Sequence, residues 1–305
     1  MFDTLRLPVI AAPMFLVSGP DLVIEAARAG IVGAFPTPNA RTPDQLDAWM
    51  TRIAAEAGGP WCANLVTHST NARLADDLAL VARHKPPLVV TALGSPKPAV
   101  EVVRAYGGRV LADVTTIRLA QKAIEAGADG LACICAGAGG HTGALNPFAF
   151  VRAVREFHDG PLVVGGGISD GWGVAGAIAA GADAVYMGTS FLAAAESMAP
   201  LAYKDMVAAA TVEDLLVSPA ITGTPASWLI PSLVANGLDP AAMPATPDRA
   251  YDTGASFKGK RWAQVWSAGQ GVGAVKAVEP VAAIVDRLER DYRAALARLR
   301  GSVDA

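Results

Sequence analysis

The residues best suited to chemistry lie in "CAGAGGHTGALNPF", 135–148, where His141 stands in a run of small side chains. An imidazole changes charge near neutral pH, so it can remove a proton, return one, or steady a negative charge. Glycine costs backbone entropy, and a cluster of it points to tight geometry or to a ligand pressed against the backbone. Gly137, Gly139, Gly140 and Gly143 are therefore expected to let a flat ligand approach closely. Two further stretches carry the same signal, "GGGISDGWG" at 165–173 and "GTSF" at 188–191. Bare backbone N–H groups beside a helix N-terminus form an anion site, and the Thr189 and Ser190 hydroxyls could add donors. Either loop alone is equally readable as a tight turn.

What would position these residues is a repeating unit. Short apolar runs occur at 8–13, 30–36, 61–66, 87–94, 109–114, 130–135, 161–167 and 184–190. Alanine-rich amphipathic stretches such as "TIRLAQKAIEAGAD" follow them, several closing in Ala-Gly, a helix stop signal. Near-continuous apolar strands alternating with helices indicate a parallel sheet covered on both faces. Eight such units predict an α/β fold, a (β/α)8 TIM barrel over 1–200. An open doubly wound sheet competes, but the first strand ends "AAPMF" without a dinucleotide fingerprint. Residues 201–305 read as a helical and irregular segment covering the active site. Within it "YKDMVAAATVEDLLV" (203–217) reads as one helix, 218–262 shows no strand alternation, and 279–300 reads as a closing amphipathic helix.

Barrel chemistry collects at the C-terminal strand ends. Those ends carry Met14, Asn64, Asp113, the His141 loop, Gly165, Gly166, Gly167, Gly188 and Thr189. The loops after strands seven and eight lie where barrels bind phosphate, so a phosphate-bearing ligand is expected there. His84 and His158 precede strands and fall on the opposite face; His68 shares the face of His141 and is expected either near the ligand or as a cap.

Composition narrows the class. The chain has 305 residues, 52% of them hydrophobic, and a formal net charge of -3, which gives no electrostatic reason to expect nucleic acid. No apolar run reaches the ~18 residues of a membrane helix, and the start lacks the pattern of an export signal. Cys62, Cys133 and Cys135 suit small buried residues of a reduced, cytoplasmic protein, and no metal site is expected.

Taken together, "AAPMF", "NLV", "AGAGGHTG", "GGG", "MGTSF" and the later "WSAGQGVG" (266–273) resemble the nitronate monooxygenase family, formerly the 2-nitropropane dioxygenases, along essentially the whole chain. The resemblance implies FMN, with Met14 and Asn64 lining the ring and Gly166, Gly167, Gly188 and Thr189 holding the phosphate. It implies His141 as the catalytic residue, Ser267 and Gln270 returning to cover the flavin, and Gly139, Gly165 and Asp113 nearby. The implied substrate is a small nitronate, or a nitroalkane, oxidised with O2 to a carbonyl compound and nitrite. No nucleic acid or membrane partner is expected, and a homodimer is among the expected assemblies. Two positions depart from the family: Gly137 stands where many relatives have an acidic residue, and Asp113 where some have a lysine. A carboxylate cannot supply positive charge to a reduced flavin. Similar "GGHxG" motifs occur in flavin reductases acting on quinones or enoyl thioesters; that alternative needs a nicotinamide-nucleotide surface in 218–262. A colourless sugar-phosphate isomerase or aldolase is the non-redox alternative.

Overall fold

A computed structural model describes residues 2–243 and 262–303. Eight strands close into a parallel barrel: β1 (Val9–Ala11), β2 (Val32–Pro36), β3 (Trp61–Val66), β4 (Leu88–Ala92), β5 (Arg109–Val114), β6 (Gly130–Ile134), β8 (Leu162–Gly165) and β9 (Ala184–Met187). β9 pairs with β1, so the sheet has no edge. Helices α1 (Pro20–Arg28), α2 (Pro43–Glu56), α3 (Leu74–His84), α4 (Lys97–Arg104), α5 (Ile117–Glu125), α6 (Pro147–Arg155) and α7 (Gly171–Ala179) join consecutive barrel strands, and a short α8 (Thr189–Leu192) follows β9.

Local sequence explains these elements. Thr116 caps α5 by accepting from the Leu119 N–H, and Asp170 caps α7 by accepting from Gly173. The Ala-Gly endings work as stops because Gly30, Gly127 and Gly181 turn the chain with φ of +87°, +96° and +111°. Strand side chains alternate between two shells. Ile10, Val90, Leu111, Ala132, Val163 and Tyr186 fill the barrel interior. Ala112, Val114, Val164 and Val185 face outward into the layer beneath the helices.

The C-terminal segment returns to the barrel twice. Beyond α9 (Leu201–Ala209) and α10 (Ile230–Ala235), α11 (Val281–Val303) packs along α7 and α1. A Cβ on Gly171 would lie 2.2 Å from the Leu288 carbonyl oxygen, so only glycine lets α7 start against α11. Arg6 fastens α11 through Asp286 at 2.7 Å and through Glu289. Among the described residues no helix is long and apolar enough to cross a membrane.

Two expectations for this segment are corrected. The helix expected over 203–217 ends at Ala209, and its last residues form strand β10 (Leu215–Ser218). Nor is 218–262 without strands: β11 (Ala226–Leu229) pairs antiparallel with β10 and with β7 (Gly140–His141). β11 follows Pro225 and is four residues long, too short to show a period above the surrounding Pro and Gly. The expected nucleotide surface of 218–262 lies partly outside the described residues, at 244–261.

Candidate active site

His141 is carried on a strand, with the backbone of Ala226 as its partner and the Thr142 N–H donating to the Pro225 carbonyl at 3.1 Å. This sheet sets the imidazole at the rim of the barrel mouth. Trp262 meets the ring edge-to-face at 5.2 Å and 82°, and Trp228 packs behind Trp262 at 4.6 Å. His141 is exposed on one side, but the protein around it hydrates the ring poorly, and this desolvation lowers its pKa from the ordinary histidine value. The imidazole is therefore neutral at pH 7.

The glycines around His141 serve mostly a different purpose from the one expected. A Cβ on Gly139 would lie 2.7 Å from the Gly269 nitrogen, and one on Gly143 2.2 Å from the Ile134 carbonyl oxygen. One on Gly137 would lie 2.8 Å from Oε1 of Gln270. These three clear space for other parts of the chain. Gly140 alone, with φ of +67° and only the Trp262 ring within 4 Å, is open.

The tail motif, the His141 loop and the loops after β8 and β9 meet at one point. The Gly137 carbonyl accepts from the Gly167 N–H at 3.1 Å and from the Gln270 N–H at 2.9 Å. The Gly269 N–H donates to Oγ1 of Thr189 at 2.9 Å, and Oγ of Ser190 donates to the Ser169 carbonyl at 3.4 Å. Ser267 is held by Tyr203, whose hydroxyl donates to the Ser267 carbonyl at 2.5 Å and accepts from the Ser267 N–H at 3.0 Å.

Gly166 and Gly188, the glycines expected beside a phosphate, differ in what they tolerate. Gly166 has φ of +145°, and a Cβ there would lie 2.6 Å from the Ala136 carbonyl oxygen. Gly188 has a negative φ, and its nearest neighbour would be Sδ of Met14 at 3.6 Å, an ordinary contact. Gly165 lies against Tyr186, where a Cβ would sit 2.8 Å from the Tyr186 Cβ. Met14 itself is fixed by its N–H donating to Ser18 and by its carbonyl accepting from Asn39. An apolar cleft of about 170 Å³ opens behind Gly166 and Gly167, lined by Phe148, Val151 and Ile168 of the outer layer.

Inside the mouth, Asp113 follows Leu111 on the inner face of β5. Asn64 on β3 donates from Nδ2 to the Val90 carbonyl at 3.3 Å. Oδ1 of Asp113 and the Tyr186 hydroxyl are buried without a hydrogen-bond partner. Burial pushes the Asp113 carboxyl up to about 7, and burial followed by the Asp113 charge pushes the Tyr186 phenol well above its ordinary value. The Cys62 thiol is pushed up in the same way.

His141, both glycine loops, Met14, Thr189, Ser267 and Gln270 thus surround one barrel mouth, with Asn64 and Asp113 inside it. His68 makes only a local turn, its Nδ1 lying 2.8 Å from the Thr70 hydroxyl. Sequence reasoning missed Trp228, Trp262, Tyr203 and Tyr186. The tryptophans lie in or next to the stretch without a period. Tyr186 was legible, since it falls two residues after Ala184 on an inward-facing register.

Comparison with known proteins agrees with this architecture. A family model described as nitronate monooxygenase matches residues 65–291. A nitronate monooxygenase of Paraburkholderia phytofirmans is 29% identical over 96% of this chain and 94% of its own length. Among solved structures, nitroalkane oxidase from Streptomyces ansochromogenes superposes with a TM-score of 0.83 at 26% identity, covering 97% of this chain and 99% of that one. FabK from Thermotoga maritima, with a TM-score of 0.81 at 24% identity over 98% of this chain and 96% of its own, shares the fold.

Proposed function

The chain belongs to the nitronate monooxygenase family, a family of flavoproteins, and from that premise we propose that it binds FMN and oxidises alkyl nitronates with O2 to a carbonyl compound and nitrite. The observation that carries the reading is a neutral, one-side-open His141 at the rim of a barrel mouth whose interior holds two buried polar atoms without partners. Unpaired buried polar atoms are rare in proteins, and a bound ligand would supply the missing partners. A flavin ring, polar along one edge and flat, would meet those two polar atoms, and a single terminal phosphate would lie toward the loops after β8 and β9.

When bound, FMN supplies the electron-accepting chemistry and the reaction with O2. The protein's own residues do the rest. Gly188, with room beside its Cα, and the Thr189 hydroxyl would hold the phosphate. The Gly167 N–H already donates to the Gly137 carbonyl, and the Ala136 carbonyl fills the space beside Gly166, so these two glycines shape the loop next to the phosphate. Met14, in the loop after β1, would support the ring, and the tail residues Ser267 and Gln270 would cover it.

His141, being neutral, removes the α-proton when the substrate is a nitroalkane. Toward a preformed nitronate it donates a hydrogen bond to the charged oxygens. Trp262, backed by the buried Trp228, presents an apolar wall for the alkyl group. The same proposal includes a small-molecule substrate with no nucleic acid, a cytoplasmic location and a homodimer.

The test is a mass measurement of the heat-released cofactor together with a nitrite assay on a nitronate panel. FMN and nitrite release are expected. A colourless protein, or flavin bleached by NADH without oxygen and no nitrite from any nitronate, overturns the reading.

A further inference from the structure

We infer that Asp113 is a redox-linked proton site: reduction of the bound flavin draws one proton from solvent onto the Asp113 carboxylate, so that a neutral acid, in place of a fixed cation, answers the negative charge gained. The inference rests on the flavin reading above.

The geometry starts from β5. Leu111 faces the barrel interior, and Asp113, two residues on, occupies the same face one step nearer the C-terminal mouth. Its surroundings are apolar or uncharged. Ile10, Val90, Ala132 and Val163 fill the interior below it. The titratable groups that feel its charge are the Cys62 thiol on β3, the Cys133 thiol on β6 and the Tyr186 phenol on β9. Each of these is held in its neutral form by burial, and the neutral His141 is the titratable group at the rim above. Among the described residues no cation contributes to the Asp113 equilibrium, which burial moves.

Oδ1 of Asp113 has no hydrogen-bond partner, and neither has the Tyr186 hydroxyl across the interior. A carboxylate so placed can do one of two things beneath a ligand that becomes more negative. It can stay ionised and oppose the change, or it can take a proton and donate a hydrogen bond to it. In water-poor surroundings two like charges repel strongly, and protonation is the lower-energy course. The carboxyl already stands near 7, so a small added push is enough to load it at neutral pH. The balance is simple: two electrons and one proton pass to the flavin, which gains one negative charge, one further proton passes from solvent to an Asp113 oxygen, and no other bond to the protein forms or breaks. Tyr186 remains a neutral donor throughout.

The experiment is reduction of the FMN-bound protein with dithionite, without oxygen, at several pH values between 6 and 9, reading the midpoint potential. The wild-type potential should fall more steeply with pH above 7 than that of Asp113→Asn, by about one additional proton per two electrons near pH 8. His141→Ala should keep the steep fall. Equal slopes in wild type and Asp113→Asn overturn the inference while leaving the flavin reading intact. If Asp113→Asn does not fold, the wild type and His141→Ala decide. A steep fall kept in His141→Ala supports Asp113; one lost there, or a wild-type slope no steeper than that of free FMN, overturns it. A protein that takes up no FMN fails both the flavin reading and this inference.

Discussion

The rim and the floor of the barrel mouth are built in opposite ways and treated alike by water. The rim is assembled from distant chain segments: His141 lies on β7, its backbone partner on β11, and its aromatic neighbour at Trp262. The floor is assembled from barrel strands, with Asn64 on β3, Asp113 on β5 and Tyr186 on β9. At both places burial removes charge. It lowers the His141 pKa and raises that of Asp113 to about 7, so near pH 7 the base is neutral and the acid is divided between its two forms. One is ready to take a proton from a substrate and the other to load one when negative charge arrives. Environments that separate acid and base roles in this way mark functional sites.

Removing the imidazole tests the rim with the largest effect. His141→Ala should retain the fold and the flavin yet lose turnover by roughly 10²–10⁴-fold, the range of a positioned acid–base or charge-steadying group. His141→Asn should recover part of that loss on a preformed nitronate and none on a nitroalkane. Steady-state rates with both substrates check this, and near wild-type rates in His141→Ala would make the residue structural. For the nitroalkane, the wild-type rate should fall as pH drops through the depressed pKa of His141, because only the neutral ring accepts the proton.

The floor answers through stability. Asp113 has a folded pKa of about 7 against 3.8 for the free group, so the folded state holds the proton more tightly. Its contribution is therefore fully present below 3.8 and is lost as pH rises through 7. Flavin-free wild type should lose up to about 4 kcal/mol relative to Asp113→Asn between pH 4 and 8, at 1.36 kcal/mol per unit. Denaturant unfolding at a series of pH values measures this. A wild-type and variant difference that stays constant with pH would show that Asp113 titrates normally.

A smaller effect separates the two glycine loops. Gly188→Ala meets only ordinary contacts, so it should lower FMN affinity by about tenfold while leaving the unfolding midpoint unchanged. Gly166→Ala must strain a backbone at φ of +145° and push on the Ala136 carbonyl, so it should lower the midpoint by several degrees even without flavin. Flavin titration and thermal unfolding of both variants distinguish the cases. Equal behaviour would merge two roles that the geometry keeps apart. His68→Ala should change turnover less than twofold, since the ring contacts only its own turn.

Most of the barrel was legible before any coordinates. Strand and helix periods are local, and so are the Ala-Gly stops at Gly30, Gly127 and Gly181. Strand order in an all-βα chain follows from chain order, which placed Met14, Asn64, Asp113, His141 and the glycine loops around one end. The glycines near His141 signal tight geometry, but the signal does not say what fills the space they leave. What occupies the space beside Gly137 and Gly139 is the chain itself, returning more than a hundred residues later.

Only the tertiary structure decided the rest. The pairing of Ala226 with His141, the Gly137 carbonyl shared by Gly167 and Gln270, and the contact of Trp262 with His141 join residues from 30 to 133 positions apart. Such contacts leave no period in either partner, because a strand of two or four residues is shorter than the pattern that would reveal it. The state of Asp113 has the same origin. Its identity and its place on β5 were written in the sequence, but its proton affinity is set by burial in the apolar interior. Solvation is a property of the closed barrel, and no single strand carries it.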